Sequence, residues 1–87
     1  MAEIIIYTRQ FCGYCTAAVA LLTSKGYQFI EMATDGDQQM RTEIAQRSGQ
    51  TTVPQIFVDD FSLGGYTELA RAIADGEFDK RLNSQAS

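Results

Sequence analysis

The feature that most constrains this chain is a junction. Ile4-Ile5-Ile6-Tyr7 is a β-branched and aromatic run without alternation, and soon after it Cys12-Gly13-Tyr14-Cys15 opens a stretch where Cys15, Ala18, Val19 and Leu22 recur at i, i+3, i+4 and i+7. The first pattern reads as a strand buried on both faces, hence a central parallel one. The second reads as an amphipathic helix that stops at Lys25-Gly26, a cation in the last turn ahead of a glycine. Strand, short loop and helix in this order put the cysteine pair at a helix N-terminus, and the rest of the chain must supply a partner for the strand.

That partner is predicted at Gln28 to Met32, where Phe29 is the inward residue, and Asp35-Gly36-Asp37 turns the chain into a second helix. The helix carries Met40, Ile44 and Ala45 inward and ends at Ser48-Gly49. Pro54 then opens Ile56-Phe57-Val58, and Asp59-Asp60 separates it from Phe61-Ser62-Leu63 at hairpin distance, so these two strands are predicted to be antiparallel. Gly64-Gly65 leads into a helix with Leu69 and Ile73 on one face, closed by Asp75-Gly76. Phe78 and Leu82 anchor a last short helix, and Asn83 to Ser87 read as a frayed polar tail. The order βαβ then ββα predicts an α/β domain, a four-stranded mixed sheet flanked by helices. With 87 residues there is no room for a second core, so residues 1–87 form one domain.

Composition removes several function classes. At 45% hydrophobic and 21% charged residues the chain is neither disordered nor fibrous. Eleven acidic residues against seven Lys plus Arg give a net charge of -4, the reverse of the basic footprint that nucleic acid or an anionic membrane surface selects. No stretch is apolar enough to span a bilayer or direct export, which predicts a cytoplasmic protein. With no His and two Cys, the usual tetrahedral zinc ligands are not available within one chain, so no metal site is expected.

Two close cysteines without an export signal point to redox chemistry. A helix N-terminus offers unpaired N–H donors and the positive end of the dipole, which lower a thiol pKa from about 8.5 towards about 3.5 to 7.5. Cys12 is therefore the predicted nucleophile, while Cys15, one turn inside on the apolar stripe, is the less acidic and less exposed thiol. Two intervening residues suffice for a disulfide, so the pair can cycle between dithiol and disulfide. The competing readings are two inert core cysteines, or two thiolates that share a metal with ligands from outside the chain.

Ile6-Tyr7-Thr8-Arg9, the Cys12 to Cys15 motif, Thr52-Val53-Pro54-Gln55-Ile56-Phe57 with Asp59, and Gly64-Gly65 before a helix together resemble the glutaredoxin family, in its small dithiol bacterial type. The resemblance runs from about Ile4 to Leu82. It implies a thioredoxin-like fold and a monomer that reduces disulfide-containing or glutathionylated proteins with glutathione. It also implies a groove from the cysteine motif to the third helix, with the ligand's cysteine pairing to the backbone of Val53 ahead of a cis Pro54. A trans proline opening an edge strand is the plainer alternative.

Carried over residue by residue, Arg9 and Arg41 face the glycine carboxylate of glutathione, and Tyr14 and Thr52 line the groove. Arg41 also reads as a solvated helix charge and Tyr14 as an ordinary exposed aromatic; Arg47 and Lys25 are read as surface charges only. The chain departs from the family at Gly65-Tyr66-Thr67-Glu68, where a Cys or Ser and two acidic residues are usual. The backbone of Tyr66 and Thr67 remains able to meet the γ-glutamyl carboxylate at a helix N-terminus. Thr67 also suits a helix cap, and Glu68 is the acid left for the γ-glutamyl ammonium. Two rivals follow from the same resemblance: a redoxin reduced by thioredoxin reductase, and a dimer holding a [2Fe–2S] cluster on Cys12 and glutathione thiolates.

Overall fold

The computed structural model describes residues 2–85. The run of isoleucines forms β1 (Ile4–Thr8), the inner strand on which the sheet is assembled. It pairs in parallel with β2 (Ile30–Ala33), Ile5 opposite Ile30, and antiparallel with β3 (Gln55–Val58), Ile5 opposite Phe57. β3 in turn pairs antiparallel with β4 (Phe61–Gly64) through a turn at Asp59-Asp60, giving the order β2-β1-β3-β4. β1 is thus central as predicted, although only one of its two neighbours is parallel to it.

Both faces of the sheet are covered, which is why β1 and β3 lack polar alternation. On one face Ile4, Ile6, Ile56 and Val58 pack with Ala18 and Leu22 of α1 (Gly13–Ser24), Leu69 and Ala72 of α3 (Tyr66–Ala74) and Phe78 of α4 (Glu77–Gln85). On the other, Tyr7 and Phe57 meet Ile44 of α2 (Gln38–Ser48), their rings edge to face at 5.6 Å. Asp37 caps α2 by accepting the Met40 N–H at 3.0 Å, and Gly49 ends it in the left-handed region at φ 76, where a glycine pays no Cβ clash.

Three expectations are corrected. The second strand starts at Ile30, not Gln28; β2 is an edge strand of the sheet, and Ile30 is 45% exposed. The last helix is longer than expected and takes in Asn83, Ser84 and Gln85, with the fully buried Phe78 in its first turn and Leu82 packed on the same core; Ala86 and Ser87 lie outside the described residues. Arg47 is not merely a surface charge. Its guanidinium lies 4.4 Å from the Phe57 ring centre and 3.7 Å from Asp60, joining α2 to the hairpin.

Candidate active site at the start of the first helix

β1 delivers the chain to a turn, Arg9 to Phe11, and then to Cys12, whose extended backbone (φ -122, ψ 105) makes it the N-cap of α1. An N-cap side chain faces the first unpaired N–H groups of its helix. Cys12 Sγ accepts the Cys15 N–H at 3.2 Å, and the Cys12 carbonyl accepts both the N–H and the hydroxyl of Thr16. Cys15 is 3% exposed whereas Cys12 is only half-buried, so the two sulfurs differ in access as the apolar stripe predicts. They are joined in a disulfide across Cα atoms 5.2 Å apart.

Val53 comes to this sulfur from the loop that leads into β3, the strand next to β1. The Val53–Pro54 bond is cis, and the Val53 carbonyl oxygen lies 3.9 Å from Cys12 Sγ. The loop before it is braced by Gln55, whose Nε2 donates to the Gln50 and Thr52 carbonyls at 3.0 and 2.9 Å. Gln55 is 1% exposed, and its buried Oε1 has no hydrogen-bond partner among the described residues. Sequence reasoning used this glutamine as part of a motif and gave it no task; the available signal was an amide side chain in a strand otherwise made of large apolar residues.

Beside Val53 a cavity of about 510 Å³ is lined by Arg9, Arg41, Thr34, Thr51, Thr52 and Ile44 as well. It brings two guanidinium-bearing residues together with no acidic residue among its walls, a local inversion of the chain's net charge. Arg41 is oriented by a bond from its Nε to the Thr34 carbonyl at 3.3 Å, and Thr34 in turn donates its hydroxyl to the Thr8 carbonyl. Thr34 and Thr51 were not anticipated, because their sequence surroundings are those of ordinary loop threonines. A larger cavity, about 920 Å³, lies at the opposite end of β1 between Glu3, Tyr27, Ile30 and Asp79, far from either sulfur.

On the other flank, Tyr66 begins α3 and its ring lies 5.9 Å from that of Tyr14, which is 68% exposed. Gly65 is the N-cap of α3, so Thr67 is the second helical residue and not the cap, a correction to the capping role. Glu68 reaches back to accept the Gly65 N–H at 2.7 Å. That is half of a capping box, since glycine has no side chain to return the bond. The approach is close: a Cβ at Gly64, where φ is 121, would sit 2.8 Å from Glu68 Cγ, and one at Gly65 would meet the Pro54 carbonyl at 3.4 Å. The Tyr66 and Thr67 N–H groups occupy the first two helical positions, where no carbonyl one turn back can accept them.

A single chain brings two cysteine thiols, and among the described residues there is no grouping of three or more His, Cys, Asp or Glu placed to hold a metal ion. A [2Fe–2S] ligand set is not built within it, and the cluster-bearing dimer would draw its remaining ligands from outside the chain. Among the same residues no helix is long and apolar enough to cross a membrane.

The arrangement has known counterparts. A family model described as Glutaredoxin matches residues 4–62. Glutaredoxin 3 of Escherichia coli (strain K12) is 48% identical over 82 residues, covering 94% of this chain and 99% of that protein. The solution structure of glutaredoxin from Brucella melitensis superposes with a TM-score of 0.81 at 40% identity, covering 94% of this chain and 89% of the other. A crystal structure of a buckwheat glutaredoxin–glutathione complex shares the fold at a TM-score of 0.83 and 22% identity, over 95% of this chain and 78% of that one. With its helix-capping Cys12 joined to Cys15 on a thioredoxin-like scaffold, the chain belongs to the glutaredoxin family as a dithiol thiol–disulfide oxidoreductase of the bacterial type.

Proposed function

We propose that the protein uses glutathione to reduce protein disulfides and glutathione mixed disulfides, acting as a monomer in the cytoplasm. The observation that carries this is the position of Cys12 Sγ, capped by the Cys15 N–H and set between the two-arginine cavity and the start of α3. Glutathione is a tripeptide with a carboxylate at each end and a thiol in the middle, which fits an anion site on either side of a sulfur. In this reading Arg9 and Arg41 hold the glycine carboxylate, Thr52 and Val53 hold the central backbone, and Pro54 and Gly65 keep that strip of chain close. Tyr14 and Tyr66 border the ligand, the Tyr66 and Thr67 N–H groups meet the γ-glutamyl carboxylate, and Glu68 faces the ammonium. The family's member solved in complex with glutathione supports the choice of ligand.

The chemistry is thiol–disulfide exchange. The Cys12 thiolate attacks one substrate sulfur, the substrate S–S bond breaks, and one thiol leaves with a mixed disulfide on Cys12. Two routes complete the two-electron transfer. In one, Cys15 attacks Cys12 Sγ, breaks the mixed disulfide, releases the second substrate thiol and closes the Cys12–Cys15 disulfide, which two glutathione thiols then reduce. In the other, where the attached group is glutathionyl, a second glutathione thiolate attacks the glutathionyl sulfur, and the Cys12 thiolate leaves with oxidised glutathione as the product. The N–H that donates to Cys12 Sγ favours the thiolate as both attacking and leaving group. The deciding experiment is a reduction assay on wild type, Cys12→Ser and Cys15→Ser with either glutathione or thioredoxin reductase as the electron source. Turnover with glutathione that needs Cys12 is the expected result, and turnover with thioredoxin reductase alone would reject glutathione as the reductant.

A further inference from the structure

A disulfide substrate must bring one sulfur into line with Cys12 Sγ, so the groups flanking that sulfur come to lie over the residues beside Cys12. Phe11 is one of these, and its side chain is 97% exposed. Its backbone is in the left-handed region, φ 57, where a bulky residue is a genuine outlier and strain is characteristically kept at functional sites. Packing does not explain it, for Phe11 belongs to neither core cluster and lines neither cavity.

The turn that carries Phe11 is nevertheless fixed. The Gln10 N–H donates to both Asp35 carboxylate oxygens, at 3.0 and 3.2 Å, and the Arg9 guanidinium donates to the Gln10 carbonyl at 3.1 Å. A braced turn thus presents a large aromatic side chain to solvent next to the half-buried nucleophile, with the exposed ring of Tyr14 two residues beyond it. A substrate confined to the arginine-lined cavity does not need that ring, because Phe11 is absent from its walls. A polypeptide, which continues on both sides of its own cysteine, covers it.

We propose that Phe11 is a docking contact for protein substrates, selecting polypeptide disulfides that carry an aliphatic or aromatic side chain next to the cysteine. The proposal rests on the disulfide-reductase reading but not on glutathione, so its test omits glutathione. The reduced protein is mixed in single turnover with three probes: a disulfide of two short peptides with Leu beside Cys, the same with Ser in place of Leu, and hydroxyethyl disulfide. In each case Cys12 attacks, Cys15 closes the protein disulfide, and two electrons and two protons pass to the two product thiols.

Wild type should reduce the Leu peptide about tenfold faster than the Ser peptide, the effect of an aromatic contact worth about 1.4 kcal/mol. Phe11→Ser and Phe11→Gly should lose that preference while reducing the Ser peptide and hydroxyethyl disulfide within about twofold of wild type, and Phe11→Leu should retain it. A Leu-to-Ser ratio unchanged in Phe11→Ser overturns the proposal. So does an equal loss on all three probes, which would make Phe11 a residue that holds Cys12. Wild type inactive on every probe would reject the disulfide-reductase reading together with the proposal, whereas normal single turnover without glutathione-coupled turnover would reject glutathione alone.

Discussion

The two ends of the central strand are built on opposite terms. Where β1 runs out, at Thr8, the chain places a half-buried sulfur among backbone groups and exposed charged or aromatic side chains: the Cys15 N–H, the Val53 carbonyl, Arg9, Tyr14. Where β1 begins, Ile4 lies in a core with the fully buried Phe78, and Phe78 meets Tyr27 edge to face at 4.9 Å. There the Glu3 N–H and carbonyl bond Asp59, and the Tyr27 hydroxyl donates to Asp79 at 2.5 Å. The first end keeps a reactive atom accessible and leaves donors unused; the second pairs its groups with one another. The difference teaches that the domain separates its chemistry from its stability along a single strand, so changes at one end should be silent at the other.

The largest test of that separation is at the sulfurs. Cys12→Ser should abolish turnover, while Cys15→Ser should keep reduction of glutathione mixed disulfides and lose most reduction of protein disulfides, because only Cys15 supplies an intramolecular thiol. Alkylation of the reduced protein at about pH 6, followed by mass mapping, should label Cys12 first. Equal labelling of both would contradict activation by the helix N-terminus.

At the other end, Phe78→Ala should destabilise the fold by about 3–5 kcal/mol, a large part of a total of about 5–15 kcal/mol, through lost burial and the cavity left behind. Chemical denaturation measures it. The activity of the folded fraction should stay within about twofold, and a parallel fall in activity would break the separation.

Tyr27 gives a smaller effect with a defined pH window. Burial first, then the bond to Asp79 and the charge of that carboxylate, push its hydroxyl up to about 12 from the usual 10. The folded state therefore favours the neutral phenol. The stability this adds is complete below about pH 10 and is lost as the pH rises through about 12. Tyr27→Phe should cost about 1 kcal/mol near neutrality, a deficit that shrinks across that window; a deficit constant to pH 12 would show that Tyr27 does not titrate there.

The smallest effects return to the ligand groove. Arg9→Ala should raise the KM for glutathione several-fold, the scale of an exposed ion pair at about 0.2–1 kcal/mol. Glu68 needs two variants, because it also serves the Gly65 N–H. Glu68→Gln keeps an acceptor for that N–H and removes the charge, so a raised KM with an unchanged unfolding midpoint assigns the carboxylate to the ammonium. A lowered midpoint in Glu68→Ala, with KM unchanged in both, would leave it a capping residue.

What the sequence by itself determined is the order of the elements and the place of the cysteine motif, because both depend on interactions within a few residues. Isoleucine runs, glycine stops, Asp37 as a cap and a cysteine ahead of an apolar helical stripe act locally. The reversed neighbour of β1, the exposed edge at Ile30, the meeting of Tyr14 with Tyr66 and the gathering of Arg9, Arg41 and Thr52 around one cavity were decided by the tertiary structure. So were the bracing of the Val53 loop by Gln55, the cap at Gly65 in place of Thr67, and the aromatic contact of Arg47. Long polar side chains have no periodicity that reveals their partners. Which carbonyl, ring or charge they meet depends on how separate elements cross, and that is set only when the two sheet faces are packed.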